Sequence, residues 1–218
     1  MIVSTAELLS AAKMYASLGW RVHPLHDVHT GKCSCGKLPG KCKPGKHPRI
    51  NEWQKKATTD PAVISQWWKK WPHANIGIVC GKESGIFVVG PDGQEGIDQL
   101  AALEARCGEI PHTVISATPG GGKHFIFLWP SDGGARIGQS VNIHGKKIDI
   151  RGEGGYIVAP PSVNDVGRYS WIESPEEVGV ASAPEWLVQW IRAGQGVEKQ
   201  QPPPEKPPPL AGQWAGAR

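Results

Sequence analysis

The stretch at residues 148–162, IDIRGEGGYIVAPPS, constrains the chain more than any other. Ile148 and Ile150 alternate with Asp149 and Arg151, the period of two that marks a half-buried β-strand. With the isoleucines toward a core, both charges open onto the same space. Gly152, Gly154 and Gly155 let the backbone turn tightly, residues 156–159 (YIVA) resume an apolar strand, and Pro160-Pro161 ends it. Taken alone this is a hairpin carrying a surface salt bridge, which contributes little to stability. Taken with its neighbours, it is an acid and a base presented on one face at the end of a strand.

At 218 residues, 39% of them hydrophobic, the chain suits one domain of ordinary size plus a tail. A net charge of +4 permits a polyanionic partner without demanding one. No apolar run reaches the roughly 18 residues of a membrane span. The start, MIVSTAELLSAAK, lacks the basic opening, apolar stretch and cleavage site of a secretory signal, so a cytoplasmic protein with no membrane partner is expected.

Ser4 and Glu7 form a capping box for a helix whose inward face is Leu8, Ala11, Tyr15 and Leu18 and which Gly19 closes. Residues 20–25 (WRVHPL) read as an alternating strand. A second helix starts at Asp60-Pro61, the N-cap and first helical position, and turns Trp67 and Trp68 inward. Strands are predicted at 75–79 and 85–89, then a helix over 96–106 with Ile97, Leu100 and Leu103 inward. A hairpin of 113–117 and 124–129 turns at Gly120-Gly121-Gly122. Strands at 148–151, 156–159 and 168–171 complete one sheet, and 184–192 (PEWLVQWIR) is a last amphipathic helix. The fold class is α+β, with one domain over residues 1–193. Residues 194–218 carry two Pro triplets and read as an extended polyproline linker.

Residues 26–49 form a Gly-, Lys- and Pro-rich excursion too polar to pack. Three of the five cysteines lie in it, an arrangement that fits reduced thiols or a metal site better than a disulfide framework. Cys33, Cys35, Cys42 and His47 match a structural zinc site in ligand type, although Cys-x-Cys is tighter than the usual spacing. The alternative is a flexible loop of reduced thiols. His26 and His29 are reserve ligands, and Cys80 and Cys107 read as core residues.

Asp92 follows the strand GIFVV, Lys123 and His124 follow the triple glycine, and Asp149 and Arg151 share a strand face. Carboxylates on neighbouring strand ends are a common way to hold Mg²⁺ or Mn²⁺, hard ions that take oxygen ligands and bridge phosphates. The turn at Gly121 and Gly122 opens space for a triphosphate, and Lys123, His124 and Arg151 balance its charge. A solvated histidine past a turn remains the plain alternative for His124.

The segments SGIFVVGPDG, TPGGGKHFIF and KIDIRGEGGYIVAPPSV, preceded by ASLGWRVHPL and TTDPAVISQWWKKWPHANIGI, resemble the bifunctional primase–polymerase domain of the archaeo-eukaryotic primase superfamily. The likeness runs over residues 6–190 with the segments in the family's order. It implies an RRM-like catalytic sheet beside an α/β lobe, and template-directed DNA primase and DNA polymerase activity in phage or plasmid replication. The partners it implies are single-stranded DNA template and dNTP or NTP, with a helicase module beyond the linker and a bacterial or phage source. Carried over, Asp92 and Asp149 are Mg²⁺ or Mn²⁺ ligands, His124 contacts the nucleotide's phosphates, and similar cysteine-bearing insertions occur in the family. The departure is Gly90, which stands where the family's first metal-binding acid is expected. The chain is then a disabled variant, or an enzyme that recruits another oxygen such as Glu95 or a water, or a catalytically silent nucleotide- or DNA-binding module.

Overall fold

The computed structural model of the chain describes residues 3–38, 40–132, 134 and 136–196. Most of the segment read as a linker, from residue 197 onward, lies outside these residues. Helix α1 (Thr5–Ser17) is capped by Ser4, whose hydroxyl accepts from the Glu7 backbone N–H at 3.2 Å. The reciprocal half of the expected box is replaced by an ion pair between Glu7 and Arg168. Leu8 and Tyr15 are buried as expected, but Ala12 and Ala16 complete the face, while Leu18 falls at the C-cap and is 45% exposed.

Strand β1 (Val22–Leu25) is buried throughout instead of alternating, because Trp53 of a short unforeseen helix α2 (Trp53–Lys56) stacks over His23 on its second face. Helix α3 (Pro61–Lys70) starts at Asp60, which accepts from Ala62 N–H at 2.7 Å. Of its two tryptophans Trp68 is buried and Trp67 partly so.

The remaining elements are β2 (Asn75–Val79), β3 (Ile86–Pro91), α4 (Gly93–Cys107), β4 (Val114–Ala117), β5 (Lys123–Leu128), β6 (Ile148–Arg151), β7 (Tyr156–Ala159), β8 (Ser170–Glu173), β9 (Ala181–Ser182) and α5 (Glu185–Gly194). They form two sheets, where the strand pattern alone suggested one and the family likeness a catalytic sheet beside an α/β lobe. One is antiparallel with order β1-β2-β7; the other has order β6-β3-β5-β4-β8, with β9 parallel to the far end of β5. β2 and β3 cannot pair with each other because both edges of each are taken.

For the same reason residues 148–159 are not a hairpin. Residues 152–155 carry the chain from the edge strand of the large sheet to the edge of the small one, with Cys80 N–H donating to Gly155 O at 2.9 Å and Glu153 N–H to Ile137 O at 2.9 Å. A Cβ on Gly152 would collide with the Ile137 carbonyl, which is why glycine stands at that crossing.

Alternation along β3 and β5 divides the core in two. Ile86, Val88 and Ile126 face α1, α3 and the small sheet, with Ile76, Ile78 and Ile157. Phe87, Val89 and Phe127 face α4 and α5, with Leu100, Leu103, Leu187 and Ile191. Ile97 is only partly buried on α4, and Cys107 likewise, whereas Cys80 is buried. The chain is α+β, and among the described residues no helix is long and apolar enough to cross a membrane.

Candidate functional site: a strand-end cleft walled by a cysteine loop

The face of the large sheet that carries Ile86, Val88 and Ile126 changes character toward one end. Continuing the two-residue period, β3 places Gly90 on that face, β5 places His124 and β6 places Asp149 and Arg151. Gly90 pairs with Asp149 across β3–β6, and its neighbour Val89 pairs with Phe125 next to His124. Position 90 therefore lies between Asp149 and His124. A Cβ there would sit 3.5 Å from His124 Cδ2 and 3.8 Å from Asp149 Cβ, ordinary contact distances, and the Gly90 backbone is not in the left-handed region.

These residues floor an open cleft of about 740 Å³ also lined by Asp92, Lys123, Lys43, Lys46, Tyr156, Asp165 and Tyr169. Asp149 uses both carboxylate oxygens: Oδ2 accepts from Arg151 at 2.7 Å and Oδ1 from Asn142 N–H at 3.1 Å. Its strand, β6, is the edge of the large sheet and not its centre, although Ser140 bonds Ile150 in both directions along that edge. Asp92 is the N-cap residue of α4 but makes no side-chain capping bond, so its exposed carboxylate is left to the cleft. His124 Nδ1 lies 3.4 Å from Ser116 Oγ on β4. Burial, then the charges of Arg151 and Lys46, push its pKa down to about 4, so the ring is neutral at pH 7.

Gly121 and Gly122 do not line the cleft. Gly122 is buried, and a Cβ on it would lie 2.5 Å from Pro91 O and 3.2 Å from Asp92 Cα. The turn thus seats the β4–β5 hairpin against the end of β3, which brings His124 beside position 90. Glu95, the reserve oxygen, accepts from Gln99 at 3.1 Å and is absent from the cleft lining. Sequence reading missed Asp165, Tyr169 and Lys43 as cleft residues; their segments are loops or strand ends with no spacing signal.

The cysteine loop forms one side of the cleft through Cys42, Lys43, Pro44 and Lys46. Ligand atoms of Cys33, Cys35, Cys42 and His47 all lie within 4.8 Å of one another. Cys35 and Cys42 Sγ are 3.6 Å apart, and Cys33 Sγ is 4.0 Å from His47 Nε2. A tetrahedral zinc with ~2.3 Å sulfur bonds needs ligand separations of about 3.7 Å, so the set fits. His47 Nδ1 lies 2.9 Å from Lys43 O, the outer hydrogen bond that fixes the tautomer of a metal-binding imidazole. Lys37 N–H holds the Cys35 thiol down to about 6, while burial raises Cys42 to about 11.

Neither reserve histidine belongs to the cluster. His26 stacks on His47 at 4.6 Å and approaches Ser34 Oγ, and His29 stacks on His73 at 3.5 Å. This group could hold a metal such as zinc.

Carboxylates, a neutral imidazole and several cations at the strand ends of an α+β domain are the groups that a polyphosphate ligand requires. Residues 12–186 match the model of the bifunctional DNA primase/polymerase N-terminal family, and the chain belongs to that family. Membership carries primase/polymerase-type function, nucleotidyltransferase chemistry with DNA and nucleotides as substrates, at the level of the family. No curated protein matches the chain.

Proposed function

We propose that the cleft is a nucleotidyl-transfer site for template-directed DNA synthesis, with one acid of its carboxylate set missing. The observation that carries this reading is position 90: an unstrained glycine in register with Asp149 and in contact range of His124, where an aspartate would turn its carboxylate into the cleft. Asp92 and Asp149 are the residues that would hold Mg²⁺ or Mn²⁺, which supplies activation of a 3′-hydroxyl and charge neutralisation at the leaving pyrophosphate.

Lys123 and Arg151 bind the triphosphate, and neutral His124, with Nδ1 toward Ser116, offers Nε2 to a phosphate oxygen. In the ligand-free arrangement Arg151 neutralises Asp149. Were Asp149 to hold a divalent cation, Arg151 would be free to turn to the triphosphate. The Cys33, Cys35, Cys42 and His47 centre holds structural zinc, since four filled positions leave none open for chemistry. The composition of residues 194–218, with its two Pro triplets, supports a link from the domain to a further replication module, and the family likeness points to a helicase.

The same glycine favours a second reading, a catalytically silent module that binds nucleotide and DNA. Primer synthesis and extension on single-stranded templates with Mn²⁺ separates them. Loss of a metal ligand costs several kcal/mol of transition-state stabilisation, so Gly90→Asp is expected to raise extension by at least about a hundredfold over a slow parent. Equal rates for the two forms would remove position 90 from the site. No extension by Gly90→Asp, with nucleotide binding intact, would favour the silent module.

A further inference from the structure

Five lysines lie in the cysteine loop, and they are not equivalent. Lys32, Lys37, Lys41 and Lys43 are exposed, Lys43 at the cleft's edge, whereas Lys46 is half-buried and lines the cleft. Its backbone is anchored from the core side as well as by the ligands that flank it. Tyr156, on β7 and itself a cleft residue, donates its hydroxyl to Lys46 O at 2.6 Å.

One residue earlier, Gly45 O accepts from Asn75 Nδ2 at 2.9 Å. Gly45 adopts φ +70°, and a Cβ on it would lie 2.8 Å from Val163 O, so the loop dips against the sheet there and nowhere else among its described glycines. On the outer side, residues 42 and 47 belong to the Cys/His cluster. The positive charge of Lys46 is close enough to depress the basicity of His124, after burial and Arg151. Lys46 therefore lies on the wall of the cleft that His124 also lines, on a six-residue strap, 42–47, whose two end residues carry side chains that a metal would bind.

We propose that Lys46 binds the triphosphate, and that the Cys33, Cys35, Cys42 and His47 centre, by fixing the strap that carries Lys46, sets nucleotide affinity without touching the nucleotide. This rests on the reading of the cleft as a nucleotide site. A charged contact delivered by a held strap gains because less side-chain and loop freedom is lost on binding. The same lysine on a loose strap would behave like the four exposed ones.

Calorimetric titration with dATP and Mn²⁺, on the zinc-loaded chain, tests both halves. Lys46→Met is expected to weaken dATP binding by about ten- to a hundredfold, the range for losing one charge-assisted hydrogen bond. The same charge change in Lys41→Met should alter it less than about twofold, because an exposed lysine contributes little. Cys35→Ser should weaken binding as Lys46→Met does, and the double variant should be no weaker than either single one, since both remove the same interaction.

If Cys35→Ser fails to fold by circular dichroism, metal-stripped parent returned to buffer without zinc takes its place in the comparison. Equal losses from Lys46→Met and Lys41→Met would overturn the assignment of Lys46. Additive losses in the double variant would overturn the coupling to the metal centre. A parent that binds dATP and a Lys46→Met variant that binds it equally well overturn this inference alone. A parent that binds no dATP overturns the cleft assignment and this inference with it.

Discussion

The cysteine loop and the floor of the cleft share a wall but are assembled by opposite means. In the loop, four ligands come from fifteen consecutive residues and almost no side chain is buried, so donor chemistry holds the geometry and packing contributes little. In the floor, Gly90, His124 and Asp149 come from three strands far apart in sequence, and two apolar cores plus ladder hydrogen bonds hold them. The loop has four donors and little fold, and the floor has a complete fold and, on the reading proposed above, a donor set short of one acid. Metal removal should therefore unmake the first, and single polar substitutions should disable the second without unfolding it.

The largest expected effect is at Asp149. Asp149→Asn is expected to abolish divalent-dependent triphosphate binding, a loss of at least about a hundredfold, while thermal unfolding stays within a few degrees of the parent, because the side chain is 26% exposed and lies outside both apolar cores. Unchanged affinity in a calorimetric titration would show that the floor does not act as an acid site.

Next is the loop. Protein purified without chelators is expected to carry one zinc by elemental analysis. Stripping it should raise hydrogen exchange over residues 31–49 by orders of magnitude, with the sheets still protected. Zinc absent from such protein, or global loss of protection on stripping, would break the contrast between the two regions.

Two glycines divide the floor further. Gly122→Ala pushes a methyl into Pro91 O and is expected to cost about 1–3 kcal/mol in urea unfolding. Gly90→Ala meets only ordinary contacts and should gain about 0.5–1 kcal/mol from the stiffer unfolded chain. Equal signs for the two would show that the packing around one has been misjudged.

The smallest effect is a slope. His23 is buried between Trp53 (4.9 Å) and Tyr156 (5.0 Å), neither ring nitrogen has a hydrogen-bond partner among the described residues, and burial pushes its pKa down to about 3. Its folded pKa is below the unfolded value of about 6.5, so the neutral ring's stability is complete above pH 6.5 and declines as pH falls toward 3. His23→Gln should remove about one proton, ~1.4 kcal/mol per pH unit, from the slope of stability between pH 6 and 4. The slope should survive removal of zinc, since His23 belongs to the packed core and not to the loop.

What the sequence revealed follows the same division. The ligands of the loop were legible because their proximity is sequential. Helix caps at Ser4 and Asp60 and the β4–β5 hairpin were legible for the same reason. The split into two sheets was not, because nothing local to residues 148–159 tells that β6 and β7 find partners in different sheets. Asp92, His124 and Asp149 were picked out at strand ends and turns and given their roles through likeness to a family, and the structure places all three on one cleft. Gly121 and Gly122 were read as space for a ligand, whereas the second is held by contact with Pro91, a role that no spacing rule reveals.

The backbone at Gly90 is one that any residue adopts, and the room beside it is real. Folding therefore places only a small demand on this position, while it places a strict one on Gly122 thirty-two residues later. A lineage kept only for its ability to fold would hold Gly122 and let position 90 wander freely. A lineage kept for synthesis would hold Gly122 and bring an acid to position 90. Among descendants of this chain, the variety found at position 90 is thus a record of which kind of selection has been acting, written where folding makes only a small demand.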